Sequence, residues 1–118
     1  MINPIQRQTT KPRDLISERL YKSRSRSKGI REHDLTWEYL HDLLMKQKGI
    51  CALTGLQMTL ETGRGNVISL DRIDSTKGYI PGNVQWVCDW ANTMKSDHPM
   101  PELINKMKIF IAYQSRCK

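Results

Sequence analysis

Apolar residues recur along this chain in two different periods, and the switch between them lays out the elements. At the start the spacing is helical. Pro12 suits a first helical turn after Thr10 or Lys11, Leu15, Ile16 and Leu20 continue the pattern, and Gly29 offers a stop. A second helix begins after Thr36, whose hydroxyl can cap it, and ends at Gly49. Trp37, Leu40, Leu43 and Leu44 fall on one of its faces, and Trp37 and Tyr39 are expected in the core. The period then shortens. "ICALTGLQMTL" sets a Thr-Gly turn between two apolar runs, which predicts a tight connection or small hairpin, and "ETGRGN" is a loop. "VISLDRID" is rich in apolar and β-branched residues and predicts a strand; "STKGYIPGN" is a loop, and "VQWV" a second strand. "CDWANTMKSD" returns to helical character and closes at Pro99. Pro101 can open a last helix, whose stripe of Leu103, Ile104, Met107, Phe110 and Ile111 is expected to join the core. Residues 1–10 are polar and aperiodic and read as a loose arm. Neither a repeat nor a domain boundary interrupts the pattern, which predicts a single small α+β domain.

Composition adds a partner class. The 118 residues are 38% apolar, sufficient for one modest core. No run of eighteen apolar residues and no charged-then-apolar leader is present, so the expectation is a cytoplasmic protein with no membrane partner. Cys51, Cys88 and Cys117 do not form a disulfide framework, which fits a reducing compartment. Nineteen Lys and Arg against twelve Asp and Glu leave a net charge of +7, which favours a polyanion whose counterions are released on binding. Lys22, Arg24, Arg26 and Lys28 alternate with serine near the end of the first helix. They suit a solvated helix end favoured by the dipole, or contact with a nucleic-acid backbone.

The strand-loop-strand-helix unit over residues 67–96 carries polar residues where packing does not ask for them. Asp71 and Arg72 end the first strand, Asn83 ends the loop, and Asn92 lies in the helix nine residues on. Lys95, three residues further, shares a helical face with Asn92. If the helix packs back across the hairpin, a carboxylate and an amide oxygen converge. Hard oxygen ligands of this kind suit Mg²⁺, which often takes one or two protein ligands and fills its shell with water and phosphate oxygens. In a basic protein this is the outline of a phosphodiesterase.

The segment "LDRIDSTKGYIPGNVQWVCDWANTMKSD" resembles the HNH endonuclease family, particularly its small phage-type members, and the likeness extends over about residues 49–97, including "CALTG". The resemblance implies a ββα-metal core at 49–97, between a basic helical region at 11–48 and a C-terminal helix at 98–118. It implies a DNA endonuclease that hydrolyses or nicks phosphodiester bonds, most naturally in double-stranded DNA, with Mg²⁺ or Mn²⁺. Asp71 matches the family's metal-binding aspartate, and Asn92 its second metal ligand. Asn83 matches the asparagine that ties the loop. Arg72 falls where the family usually has the histidine that activates water. Lys95 matches no catalytic role, and with Lys77 and the basic residues 22–28 it is assigned to the phosphate backbone.

Two departures from the family pattern matter. Many members hold the motif with two CxxC pairs, but here the pairs read "CALT" and "CDWA", so Thr54 and Ala91 stand in two cysteine positions. Two sulfurs cannot complete a four-ligand zinc site, so no structural zinc is expected and Cys51 and Cys88 read as small buried hydrophobes. The second departure is Arg72. A guanidinium stays protonated and cannot act as a general base. Arg72 would then offset charge on the phosphate while the proton goes elsewhere. Asp74, two residues along the strand and on the same face, is the nearest acceptor, ahead of Tyr79 and His41. His33, His41 and His98 otherwise read as surface or loop residues. The alternatives are a catalytically weak or inactive HNH-derived protein that still binds nucleic acid, and a surface ion pair of Arg72 with Asp71 or Asp74.

Overall fold

The computed structural model describes residues 14–28, 32–63 and 65–116. The expectations for residues 1–10, the Pro12 start, Gly29 and Cys117 lie outside the described residues.

Helix α1 spans Leu15–Ser27, and its N-cap is Asp14, whose Oδ1 accepts from the Ser17 amide at 3.2 Å. Leu15, Ile16 and Leu20 are buried, and so are Ser23 and Ser27. Each of these serines satisfies its hydroxyl by donating back to a helix carbonyl, Ser23 to Leu20 at 2.7 Å and Ser27 to Ser23 at 2.9 Å. The serine-basic alternation thus resolves into an inner and an outer face. Helix α2 spans Trp37–Lys46 and begins, as its sequence predicts, at Thr36, whose Oγ1 accepts from the Tyr39 amide at 3.1 Å. Leu40 and Leu44 are fully buried, while Trp37, Tyr39 and Leu43 pack half-buried against the core. The Trp37 indole donates to Asp14 Oδ1 at 3.1 Å, so one carboxylate oxygen caps α1 and anchors α2. The chain leaves α2 through Lys48 and Gly49, both at positive φ.

Strand β1, Ile68–Arg72, runs antiparallel to β2, Val84–Cys88, in a register from Ile68↔Cys88 to Arg72↔Val84. Helix α3, Asp89–Lys95, follows β2 directly. Both α1 and α3 pack on β1, and α2 packs on β2. β1 is therefore buried from Ile68 through Asp71, which is why it reads as a continuous run and not as an alternation. Trp86 fills the centre, fully buried, with its indole donating to the Leu40 carbonyl at 2.8 Å. The result is a mixed α+β fold around a two-stranded sheet. No helix among the described residues is long and apolar enough to cross a membrane.

The last helix corrects one expectation. Helix α4, Met100–Arg116, buries none of its residues, and Ile104, Phe110 and Ile111 are 46%, 66% and 59% exposed. An apolar stripe reports the period of a helix, not the presence of a surface to receive it. Here α1, α2 and α3 already cover the hairpin.

Candidate active site

The hairpin sets the first side chain. Asp71 is paired in register with Gln85, and Gln85 Nε2 donates to Asp71 Oδ2 at 2.9 Å. Lys95, the last residue of α3, donates to Asp71 Oδ1 at 2.9 Å and to the Arg72 carbonyl at 2.8 Å. Asp71 is 4% exposed and Lys95 5%, so this is a buried ion pair. The expectation that Lys95 grips a phosphate backbone is accordingly revised: its ammonium points inward, onto the carboxylate. The end of α3 is fastened as well, since the Lys95 carbonyl accepts from the His98 amide at 3.0 Å and from His98 Nδ1 at 2.9 Å.

One turn earlier on α3, Asn92 reaches back to β1. Its Nδ2 donates to Ser69 Oγ at 2.8 Å and to the Leu70 carbonyl at 3.4 Å. A carbonyl can only accept, which fixes the amide orientation. Asn92 Oδ1 finds no hydrogen-bond partner among the described residues. Asp71 and Asn92 line the same open cleft, of about 340 Å³.

Asn83 staples the loop between the strands. Its Nδ2 donates to the carbonyls of Asp74 at 3.1 Å and Gly78 at 2.8 Å, and its Oδ1 accepts from the Asp74 amide at 2.9 Å. Gly78 is required there, because a β-carbon would collide with the Glu32 carbonyl. Arg72 turns into this loop. Its Nη1 donates to the carbonyls of Ser75 at 3.0 Å and Lys77 at 3.1 Å, and its guanidinium lies 5.2 Å from the Tyr79 ring centroid. The reading of Arg72 as an ion-pair partner is corrected, since Asp71 pairs with Lys95 and Asp74 turns elsewhere. Asp74 Oδ1 accepts from the Thr76 hydroxyl at 2.6 Å and the Thr76 amide at 2.9 Å, closing an Asx turn. The Thr76 hydroxyl, then its amide, hold the Asp74 carboxyl below its ordinary range. A carboxylate so stabilised is a poorer proton acceptor, and Asp74 does not line the cleft. Nor does His41, which stacks on Trp37 with ring centroids 4.8 Å apart. Tyr79 does line it, beneath Arg72.

The cleft wall holds residues that the sequence pattern did not single out. Asp89 and Asp97 add two exposed carboxylates. A smaller adjoining cleft, of about 60 Å³, is lined by Arg19, Lys22 and Arg26, and Arg26 lines the larger one too. These three recur at i, i+3 and i+7 on α1, a spacing that could have found Arg19. Arg19 Nε also donates to the Ile68 carbonyl at 2.9 Å, locking α1 to β1. Arg24, Lys28 and Lys77 are exposed but line neither cleft.

At the opposite end of the hairpin, Cys51 and Cys88 are buried at 1% and 0% exposure. The Cys88 amide donates to Cys51 Sγ at 3.1 Å, and Thr54 Oγ1 lies 3.9 Å from Cys88 Sγ. Ala91 is buried nearby in sequence, one turn into α3. Burial, then the hydrogen bond with Cys51, pushes the Cys88 thiol up to about 11. For Cys51 burial also acts upward, but the Thr54 hydroxyl and the amides of Cys88, Leu53 and Thr54 outweigh it and bring the thiol below its usual value.

Among the described residues, no group of three or more His, Cys, Asp or Glu is placed to hold a metal ion. Besides the exposed Asp89 and Asp97, what the cleft offers is one buried carboxylate, Asp71, with lone pairs remaining on both oxygens, and one unpaired amide oxygen, that of Asn92. That donor set is too small for a protein cage but suits a hard cation that keeps water and phosphate ligands.

No family model matches the chain, and no solved structure matches it. Among curated proteins, it is 34% identical over 80 residues to an uncharacterized 29.0 kDa protein in the dda-modA intergenic region of Enterobacteria phage T4. The alignment takes in 68% of this chain and 31% of that protein, so the chain spans about a third of the relative's length and is similar to that part of a phage protein.

Proposed function

We propose that the protein is a metal-dependent DNA endonuclease with a ββα-metal core of the HNH kind. One observation carries the reading: Asp71 from β1 and Asn92 from α3 line one cleft, and Arg26 of α1 lines it with them. Arg19, Lys22 and Arg26 line the joined clefts with guanidinium and ammonium groups, the chemistry that meets backbone phosphates. Asp71 and Asn92 Oδ1 would hold Mg²⁺ or Mn²⁺, which when bound supplies Lewis-acid stabilisation of charge on the phosphate and the leaving oxygen. Asn83 and Arg72 keep the 73–83 loop closed, and Arg72 retains Nε and Nη2 for a phosphate oxygen. Water attacks phosphorus, the ester P–O bond breaks, and the leaving oxygen takes up a proton from solvent water in the open cleft. The proton lost by water goes to a cleft carboxylate, Asp89 or Asp97, in place of the absent histidine.

A second reading, a nucleic-acid-binding relative without cleavage, is favoured by two features: Arg72 is committed to loop carbonyls, and Lys95 already sits on Asp71. Supercoiled plasmid with Mg²⁺ or Mn²⁺ separates the two. The nuclease reading expects nicking that Asn92→Ala and Asp71→Asn abolish. Salt-sensitive binding with no nicking by the parent protein selects the second reading.

A further inference from the structure

We infer that Lys95 is the resident counter-cation of Asp71 and makes divalent-metal binding conditional on a bound phosphate. The inference rests on the metal reading above and concerns how that site is regulated. Lys95 Nζ is 2.9 Å from Asp71 Oδ1, and the two side chains are 6% and 5% exposed. At that separation, and with little water around it, the ammonium cancels most of the carboxylate's charge. Its second hydrogen bond, to the Arg72 carbonyl, holds it in place from the strand side. Gln85 fixes the other carboxylate oxygen. Asp71 is therefore oriented in advance, with lone pairs left over, but it is not an anionic attractor. The other metal-facing group, the Asn92 amide, is neutral.

A dication entering the free cleft thus meets a charge-neutral pair of ligands with an ammonium behind one of them, and the two exposed wall carboxylates, Asp89 and Asp97, are matched by the guanidinium groups of Arg26 and Arg72 on the same wall. A phosphate oxygen from nucleic acid brings both the missing negative charge and another hard ligand. Metal and nucleic acid then bind with positive coupling, each tightening the other by the same factor. Lys95 acts through Asp71, so it is a positioning residue, and it suppresses metal loading where no substrate is present.

Mn²⁺ titration of the full chain, followed by calorimetry and by electron paramagnetic resonance, tests this. Titrations are run with and without a short DNA duplex, with the duplex alone as blank. The parent protein should bind Mn²⁺ at least about 10-fold more tightly with duplex, a coupling within the usual allosteric range. Lys95→Gln keeps a hydrogen-bond donor but removes the charge. It should bind Mn²⁺ about 10-fold more tightly without duplex and lose most of the coupling, whereas Lys95→Arg should keep it. Equal Mn²⁺ affinity of the parent protein with and without duplex overturns the inference with no variant needed. So does Lys95→Gln behaving as the parent while Asp71→Asn abolishes Mn²⁺ binding; that pair of results leaves the metal site standing. Mn²⁺ binding undiminished in Asp71→Asn removes both the inference and the metal assignment beneath it.

Discussion

The two ends of the β1–β2 hairpin meet the same problem, polar chemistry in a buried place, and resolve it in opposite ways. At the Ile68↔Cys88 end, the thiols of Cys51 and Cys88 and the Thr54 hydroxyl come together, with Ala91 in the same buried cluster. The result is a neutral, packed cluster. At the Arg72↔Val84 end, a full ion pair is kept at about 5% exposure, beside a buried asparagine and an arginine turned onto carbonyls. Desolvation makes a buried pair weak evidence for stability, because apolar replacements of similar volume are often neutral or better. The cysteine end is arranged as packing would arrange it. The Asp71 end is not, and that contrast is why function is assigned to it.

The largest expected effect tests the contrast directly. Asp71→Ala strands the Lys95 ammonium in the interior and should cost about 3–5 kcal/mol in urea unfolding. The paired replacement Asp71→Leu with Lys95→Met should recover most of that loss. If the double variant is as unstable as the single one, the pair is holding the fold together and its retention needs no functional reason. Next, Asn83→Ala removes three hydrogen bonds and leaves loop carbonyls buried, for a loss of roughly 2–3 kcal/mol, whereas Cys88→Ala should lose about 1–2 by shrinking a packed site. Equal losses at the two positions would erase the distinction between a wired end and a packed end.

Smaller effects sharpen it. Lys22→Ala and Arg26→Ala should each lower the slope of log K against log salt for duplex binding by about 0.9, and Arg24→Ala and Lys28→Ala by less, because only the first two line the clefts. A uniform drop across all four would mean a diffuse basic surface. The smallest effect is on acidification. The Asp74 carboxyl sits below its ordinary value because Thr76 stabilises the anion. Its contribution is therefore fully present above about pH 4, the ordinary aspartate range, and is lost as pH falls through the depressed folded value. Protection of the Thr76 amide from exchange should fade over that acidic window in the parent protein, and Asp74→Asn should remove the pH dependence.

How much of this was legible in the chain follows from how local each cause is. The Thr36 cap, the two strands and the helix after them are set by neighbours in sequence, and the sequence pattern finds them. The i+3 spacing puts Lys95 on the face of Asn92, but its partner lies 24 residues away and only the packing of α3 on β1 reveals it. Residue type alone says that Arg72 cannot take a proton; it does not say that the side chain folds into its own loop. Arg19 was masked by the more conspicuous alternation of basic residues that follows it. Asp14 escaped because the helix it caps begins three residues after the proline that suggested an earlier start. The α4 stripe misled because amphipathicity carries no information about whether a partner surface is free.

The most direct measurement is the nicking of supercoiled plasmid by the parent protein, Asp71→Asn and Asn92→Ala side by side, with Mg²⁺, with Mn²⁺ and with chelator. A metal site built from Asp71 and Asn92 predicts nicking by the parent in either metal, none with chelator, and a loss of about 100-fold or more in each variant, the scale of removing one electrostatic stabiliser of the transition state. Nicking that persists unchanged in Asp71→Asn, or a parent protein that binds plasmid without cutting it, would contradict it.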